Sequence, residues 1–515
     1  MSEKNIVVGI DLGTTFSAIA YLDEHGKPTI IPNSDNERIT PSVVLFEEDE
    51  VIVGKIAKSS ALSDPQHVVE FIKRDMGRPE EERVFYGKTY TPESISALIL
   101  KYIVNDAEKN LQSKITQAVI TVPAYFGDIE RKATQDAGEI AGIEVLGVIN
   151  EPTAAALSYG LDQQMQDGTI LVYDLGGGTF DVSILHISGQ DIKVLATDGE
   201  VQLGGKDWDD EIINYVAEEF LQEHGVDPRE DIDASQALRD AAESAKITLS
   251  KKEKARIVCQ SQGNMTKVTL TREKFNELTT PLLEQTEAYI PVVLEKANLQ
   301  VGDIDRVLLV GGSTRMPQVK DMLEKMFHKP ADDSVNPDEC VALGAALYGA
   351  ITKLKSDGEL SKDHYLPEDV KEKLTGLTIR NVTAHSLGLI VRENKVRTNF
   401  ILIPQQSEIP IERSETFGTE ADNQTRVTVE VTEGESKDPE ECVAIGKCVI
   451  SGLPPRPAGA PIQVSFKYNE DGRIEVHAID KGTGKEVRTE ILRTHGLSNE
   501  QIQKEKASLD QVDLG

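Results

Sequence analysis

Two carboxylates, Asp174 and Asp181, flank a turn with almost no side chains: Tyr173-Asp174-Leu175-Gly176-Gly177-Gly178-Thr179-Phe180-Asp181. Three consecutive glycines let a backbone come close to a ligand and aim its N–H groups at it, which suits an anionic phosphate. The aspartates are hard oxygen ligands of the kind that hold Mg²⁺ or orient a water. Taken alone, the pattern equally describes a glycine-rich hairpin with solvated acids. Its echo near the N-terminus narrows the choice. Gly9-Ile10-Asp11-Leu12-Gly13-Thr14-Thr15-Phe16-Ser17 repeats the order Asp, Leu, Gly, small residues, Phe, and both copies follow an apolar run, Ile6 to Val8 and Ile170 to Val172. One phosphate-binding hairpin used twice, from two related lobes facing one cleft, accounts for both. A third apolar run, Val307 to Val310, enters Gly311-Gly312-Ser313-Thr314-Arg315, where bare backbone would admit a flat ring or a sugar. Lys73 sits in the loop Phe71 to Arg78, where a lysine is ordinarily solvated.

The elements that must hold these residues alternate between strand and helix. Thr91-Pro92-Glu93 reads as a helix start, with Ile95, Leu98, Ile99, Tyr102 and Ile103 recurring on one face. Val119 to Val122 is a buried strand stopped by Pro123, Asp128 is placed as the N-cap of the next helix, and Val145 to Ile149 is a strand ending at Asn150-Glu151-Pro152. Strands around Val182 to Ile187 and Ile192 to Ala196 repeat the plan, followed by a helix from about Asp207. A further helix, Ala234 to Leu249, brings Glu243, Lys246 and Ser250 to one face, a spacing that also describes a solvated face. Pro317 opens another helix, and the small residues of Ala342 to Ala350 allow close packing. This α/β unit runs over 1–355. Residues 356–380, charged and punctuated by Gly and Pro, read as a linker with room for one short helix. From 381 to 497 the period becomes two: Val427, Val429 and Val431 alternate with polar residues, as do Ile462, Val464, Phe466 and Tyr468, with a turn at 469–472. This is an antiparallel β unit, a sandwich. Ser498-Asn499-Glu500-Gln501 is a capping pattern for a short helix within 498–515.

A chain of 515 residues exceeds one hydrophobic core, which agrees with this division. The formal net charge of −32, with no dense run of Lys and Arg, argues against a nucleic-acid partner. No apolar stretch reads as a membrane span or secretion segment, and the four cysteines show neither metal-ligand spacing nor a disulfide framework. A reducing cytoplasm is the expected compartment.

Together the three glycine turns, Val122-Pro123-Ala124-Tyr125-Phe126, Asn150 to Leu157 and the trailing β unit resemble the seventy-kilodalton heat-shock chaperone family, the DnaK-like proteins, over nearly the whole chain. The resemblance implies a two-lobed, actin-like (ribonuclease H-like) ATPase domain followed by an antiparallel β-sandwich, and with it ATP or ADP and Mg²⁺ as ligands. It implies that Asp11 and Asp174 hold Mg²⁺ through waters. Gly13, Thr14, Thr15 and Gly176, Gly177, Gly178 and Thr179 would cradle the phosphates. Lys73 matches the family's catalytic lysine, and Glu151, Thr179 and Asp181 fall where the family orients the attacking water and senses the nucleotide. Glu243, Lys246, Ser250, Gly311, Gly312, Ser313, Arg315 and Asp338 would enclose adenosine. Phosphoryl transfer asks for positioning and charge neutralisation, which these residue types supply. In the β unit the match runs through Ser386-Leu387-Gly388, Asp422-Asn423-Gln424 and Asp480 to Glu486, and it places Leu389, Phe417, Val427 and Val429 at the pocket for an extended apolar peptide; by period alone they read as ordinary sandwich core, and only the family match places them at the pocket. The implied activity is that of an ATP-dependent molecular chaperone for unfolded or client polypeptides, with a J-domain co-chaperone and a nucleotide-exchange factor as partners.

The chain departs from the family in four places. Its linker reads Leu377-Thr378-Ile379-Arg380-Asn381-Val382-Thr383 instead of a run of leucines closed by Asp, which leaves the coupling between domains open. Gly147 stands where the family usually has a basic residue used in contacts between domains and with the J-domain, and Arg392 stands near where the family often has an apolar residue arching over the peptide, pointing to a more open cleft or to acidic peptides. The helical lid is shortened to Ser498–Gly515, which predicts rapid peptide exchange. A specialised DnaK-like regulator with one client is the alternative within the family. A metabolite kinase or an actin-like filament protein would share the lobes but has no use for the β unit.

Overall fold

Two open sheets, each wound from a β-hairpin and parallel crossovers, carry the N-terminal part of the chain. The computed structural model describes residues 5–163, 167–360, 366–469, 474–490, 492–493 and 496–514; most of the turn expected at 469–472 lies outside them. In lobe I the sheet is built from β1 (Asn5–Asp11), β2 (Phe16–Leu22), β3 (Pro28–Ile30), β4 (Lys114–Val122) and β5 (Glu144–Asn150), in the order β5-β4-β1-β2-β3. The hairpin β1–β2 is antiparallel, while β1–β4 and β4–β5 are parallel. Lobe II repeats the plan with β6 (Asp167–Leu175), β7 (Phe180–Ser188), β8 (Asp191–Glu200) and β9 (Arg306–Val310), in the order β9-β6-β7-β8. Each glycine turn therefore joins two antiparallel strands at the same end of its sheet, and the sequence echo is a structural one.

Helices cover both sheets because their apolar faces match the sheet faces. Helix α1 (Pro92–Leu111) is capped by Thr91, whose hydroxyl accepts from the Ser94 amide, and it buries Ile95, Leu98, Ile99 and Ile103 in the lobe I core. Helix α2 (Asp128–Ile140) follows β4, and α3 (Glu151–Gln163) follows β5. Asp128 is the first helical residue and Gly127 the N-cap, one position off the expected assignment. The reason lies in tertiary structure: a carboxylate from the β domain, Glu433, reaches the Asp128 amide at 3.1 Å, so the cap is not local. Lobe II carries α4 (Gly205–His224), α5 (Ile232–Lys251), α6 (Arg272–Ala297) and α7 (Pro317–Phe327) around a core centred on Trp208, Phe180 and Phe220. The small-residue helix α8 (Cys340–Asp357) packs between the lobes against β1 and α3.

The stretch read as a linker has structure of its own. It forms α9 (Glu368–Gly376) and then β10 (Thr378–Arg380), which pairs in parallel with β8 and becomes the edge strand of the lobe II sheet. Arg380 pairs with Asp191 and with Glu408, which also binds Lys193.

Beyond it lies the β-sandwich. One sheet contains β11 (Leu387–Glu393), β12 (Val396–Ile403), β14 (Arg426–Glu433), β15 (Val443–Ser451) and β19 (Leu492–Arg493); the other contains β13 (Ile411–Gly418), β16 (Pro461–Tyr468), β17 (Ile474–Asp480) and β18 (Glu486–Glu490). Their inward residues, including Val431, Ile462, Val464 and Phe466, form one core. The last helix, α10 (Asn499–Leu509), has the expected Ser498 cap with Gln501 in the reciprocal position. It lies on lobe I, not on the sandwich. Ile502 and Leu509 enter the lobe I core, Lys101 binds the Leu509 carbonyl and Asp510, and Asp513–Leu514 pairs in parallel with Glu50–Val51.

Candidate nucleotide site

The two glycine turns meet. A Cβ on Gly177 would stand 1.8 Å from Thr15 Oγ1, and one on Gly178 would stand 2.4 Å from Thr14 Cγ2, so the contact between lobes requires the missing side chains. The lobe II turn is closed by the Gly176 amide donating to the Thr179 carbonyl at 3.0 Å, and Ser313 Oγ donates to the Gly176 carbonyl at 2.8 Å, tying the third glycine turn to the second. Gly311 adopts φ +80, where a Cβ would run into Leu175. Between the lobes lies a cavity of 560 Å³, a size suited to a nucleotide.

Sixteen of the eighteen residues expected around nucleotide and catalysis line that cavity together with both expected metal ligands. They are Gly13, Thr14, Thr15, Lys73, Glu151, Gly176, Gly177, Thr179, Glu243, Lys246, Ser250, Gly311, Gly312, Ser313, Arg315 and Asp338, and the metal pair is Asp11 and Asp174. The two that stand behind the wall are Gly178 and Asp181. Gly178 gives its carbonyl to Arg74, and Asp181 accepts the Ala124 and Tyr125 amides at 3.2 and 3.0 Å.

Electrostatically the floor is crowded. Glu151, Asp174 and Asp181 are buried, and Asp11 half-buried, around one lysine, Lys73, whose Nζ donates to Glu151 Oε1 at 2.5 Å. Burial pushes the Asp11 carboxyl up to about 7, helped by the charge on Glu151 and opposed by Lys73 and by the Thr121 hydroxyl bonded to it at 3.0 Å. Asp181 is likewise raised to about 7, by burial first and Glu151 second, and Asp174 is raised by burial and its acidic neighbours. Burial alone would lower Lys73, but Glu151, Asp11 and Asp174 outweigh it and hold the ammonium charged. Lys73 is carried on a single 3₁₀ turn, Ile72–Asp75, entered through Phe71 at φ 60. A left-handed aromatic residue is costly, and such conformations concentrate where a side chain must be aimed.

On the far wall, Lys246 binds the Gly205 carbonyl at 2.8 Å and Asp209 at 2.6 Å, Glu243 is paired across the cleft with Lys58 at 2.7 Å, and Arg315 is held by Asp338 at 2.5 Å. Three residues here had no signal in the sequence. Arg74 bonds the Gly178 carbonyl at 2.9 Å and forks onto Asp207 at 2.5 and 3.3 Å, fastening the phosphate turn to the first turn of α4. Thr121 and Asp209 act through partners far away in the chain. Only the placement of Arg74 beside Lys73, in a loop already singled out, could have pointed to it.

In the β domain Leu389 and Val429, each 3% exposed, belong to the sandwich core, while Phe417 and Val427 are half-buried against it, with Phe400 edge-on to Phe417 at 5.3 Å. Arg392 is not a free cation: its Nε lies 3.2 Å from Glu420, joining β11 to the loop after β13 across the two sheets. The domain is docked on the ATPase lobes. Gln406 exchanges hydrogen bonds with both backbone groups of Thr197, Thr153 donates to Asn381, and Ile129 of α2 packs on the sandwich core.

Two hairpin-built lobes that close glycine turns over one acidic cleft define an actin-like ATPase, here with a β-sandwich attached. The sequence model of the Hsp70 protein family matches residues 7–86 and 80–513. The chain is 43% identical over 511 residues to the chaperone protein DnaK of Thermotoga petrophila and to those of Thermotoga maritima and Thermotoga neapolitana, an overlap of 98% of this chain and 83% of each relative. The chain belongs to the Hsp70 family; it is an ATPase and an ATP-dependent chaperone.

Proposed function

We propose that ATP binds with its phosphates between Thr14–Thr15 and Gly176–Thr179 and its adenosine between Glu243, Lys246, Ser250 and the Gly311–Arg315 turn. The observation that carries this is the meeting of the two glycine turns above three buried carboxylates, the half-buried Asp11 and one lysine. The same excess of negative charge suits a hard cation. Among the described residues no three acidic or histidine side chains converge tightly enough to grip an ion directly, so Asp11 and Asp174 would hold Mg²⁺ through waters. The ion, when bound, neutralises phosphate charge. Lys73 stands ready to stabilise charge on the transferring phosphoryl group, Glu151 holds the lysine in place and orients the attacking water with Thr179, and Asp181 fixes the loop at Ala124–Tyr125 that closes the floor. Lys73→Ala is expected to leave ATP binding within a few-fold while single-turnover hydrolysis falls by roughly 10²–10³, the usual loss for one preorganised transition-state contact. Near-normal single turnover would return Lys73 to a structural role.

The β domain, in this reading, takes an extended apolar segment of an unfolded or client polypeptide at Phe417 and Val427, with Leu389 and Val429 forming the pocket floor as the sheets part. A J-domain co-chaperone, a nucleotide-exchange factor and a cytoplasmic setting belong to the same reading. A peptide-array binding assay run with ATP and with ADP tests it; affinities equal in both nucleotides would separate the two domains functionally.

A further inference from the structure

The contact between the β domain and the ATPase domain contains a buried acid for which nucleotide chemistry has no use. Glu433, the last residue of β14, is 8% exposed, and its Oε2 accepts the Asp128 amide at 3.1 Å at the start of α2. The fit is close: a Cβ at Gly127 would stand 2.5 Å from that oxygen. The titratable groups facing it are Asp128 and Glu130 from α2 and His385 from the segment before β11. Arg131, on the same helix, is occupied by the carbonyls of Phe126 and Ala124 and by Asn150, and Glu435 is turned to the Ser386 amide at 2.8 Å. His385 lies at the same seam, with Nε2 3.0 Å from the Tyr125 carbonyl and its ring edge-on to Tyr125 at 4.4 Å. With a carbonyl as partner, Nε2 must carry the hydrogen and donate.

We propose that Glu433 is a proton-operated latch between the two domains: protonation of its carboxyl favours the docked arrangement and ionisation favours release. The carboxylate is taken from water into a seam where its acidic neighbours outnumber its one basic neighbour, and undocking returns it to water. Burial raises the carboxyl to about 7 from an ordinary 4.5, with Asp128 and Glu130 adding to the rise and His385 and the Asp128 amide opposing it. Because the docked form has the higher value, it binds the proton more tightly, so docking strengthens as pH falls through 7 and levels off near 4.5. Between pH 8 and pH 6 the docking constant should rise about tenfold. The latch sits on the loop whose Ala124 and Tyr125 amides hold Asp181, so its state bears directly on the floor of the nucleotide site.

The test uses the full chain with ATP, with dyes at the exposed positions Glu48 and Glu415, and urea-driven undocking followed by energy transfer so that both states are populated. The wild type should show the tenfold change between pH 8 and pH 6. Glu433→Gln, neutral and of the same shape whether docked or undocked, should dock at pH 8 as tightly as the wild type does at its low-pH plateau, roughly 30-fold tighter than the wild type at pH 6, and show no slope between pH 8 and pH 6. His385→Gln, which keeps a donor for the Tyr125 carbonyl and removes the basic neighbour, should move the midpoint to higher pH. A wild-type docking constant that is flat from pH 8 to pH 6, or a Glu433→Gln protein with the wild-type slope, overturns the proposal.

Discussion

Arg74 offers the sharpest test of how the phosphate site is built. Its guanidinium is 9% exposed and makes three polar contacts, one to the Gly178 carbonyl and two to Asp207, which in turn accepts the Gly204 amide at 2.7 Å. Arg74→Ala strands a buried carbonyl and leaves Asp207 without its cation. Breaking a fully buried pair costs about 3–5 kcal/mol, but Asp207 is 21% exposed and keeps its capping role, so the cost falls at or below the bottom of that range, about 2–3 kcal/mol. Because the lost contacts shape the turn that receives the phosphates, most of this should appear in nucleotide affinity, roughly 30- to 150-fold weaker binding of ATP. Isothermal titration with ATP measures it, and thermal unfolding reports how much is lost as stability instead. Arg74→Lys should recover little, since a lysine cannot fork onto Asp207 and reach the carbonyl together. A variant that binds ATP within threefold of wild type and melts at the same temperature would refute this account of the turn.

Two further outcomes follow from the other ends of the molecule. Arg392→Glu should repel Glu420 and weaken the bridge across the sandwich sheets, raising peptide dissociation rates, whereas Arg392→Glu with Glu420→Arg should restore them; an exposed pair of this kind is worth about 1 kcal/mol at most, so the effect is up to fivefold and should fade in high salt. Unchanged rates in the single variant would make the pair ornamental. Ile502→Ala removes a fully buried side chain of α10 from the lobe I core and should cost roughly 2–4 kcal/mol of local stability. Hydrogen exchange should show residues 499–514 opening from lobe I, and protection equal to wild type would mean that Leu509 and the Asp513–Leu514 pairing hold the segment alone.

What could be read from the sequence was whatever is local or repeated. The glycine turns announce themselves because a backbone-only phosphate cradle leaves consecutive glycines, and the capping at Thr91 and Ser498 is written within four residues. Lys73 was different: its loop has no periodicity, and its role came only from family resemblance, since nothing in the sequence shows the left-handed Phe71 that turns it inward. Arg74, Asp209 and Thr121 escaped notice because each acts on a partner supplied by another element. The same physics moved the Asp128 cap. A helix whose first amide is satisfied from 305 residues away has no need of a capping side chain, and short-range reasoning finds one anyway. Nor does the sequence show the partner of Arg392, because Glu420 lies in the loop after β13, across the sandwich from β11.

The strand Thr378–Arg380 has a consequence for solubility. While it is paired, the lobe II sheet ends in a segment of the chain's own; whenever it leaves, the backbone groups of Asp191–Lys193 face solvent as an open edge. An open edge invites pairing with other chains, a serious hazard in a protein whose working surroundings contain unfolded polypeptide. The edge left open is only three residues long and carries Asp191 and Lys193, a short, charged edge of the sort that resists such pairing. The joint between the domains is thus shaped by what must not bind there as well as by what does.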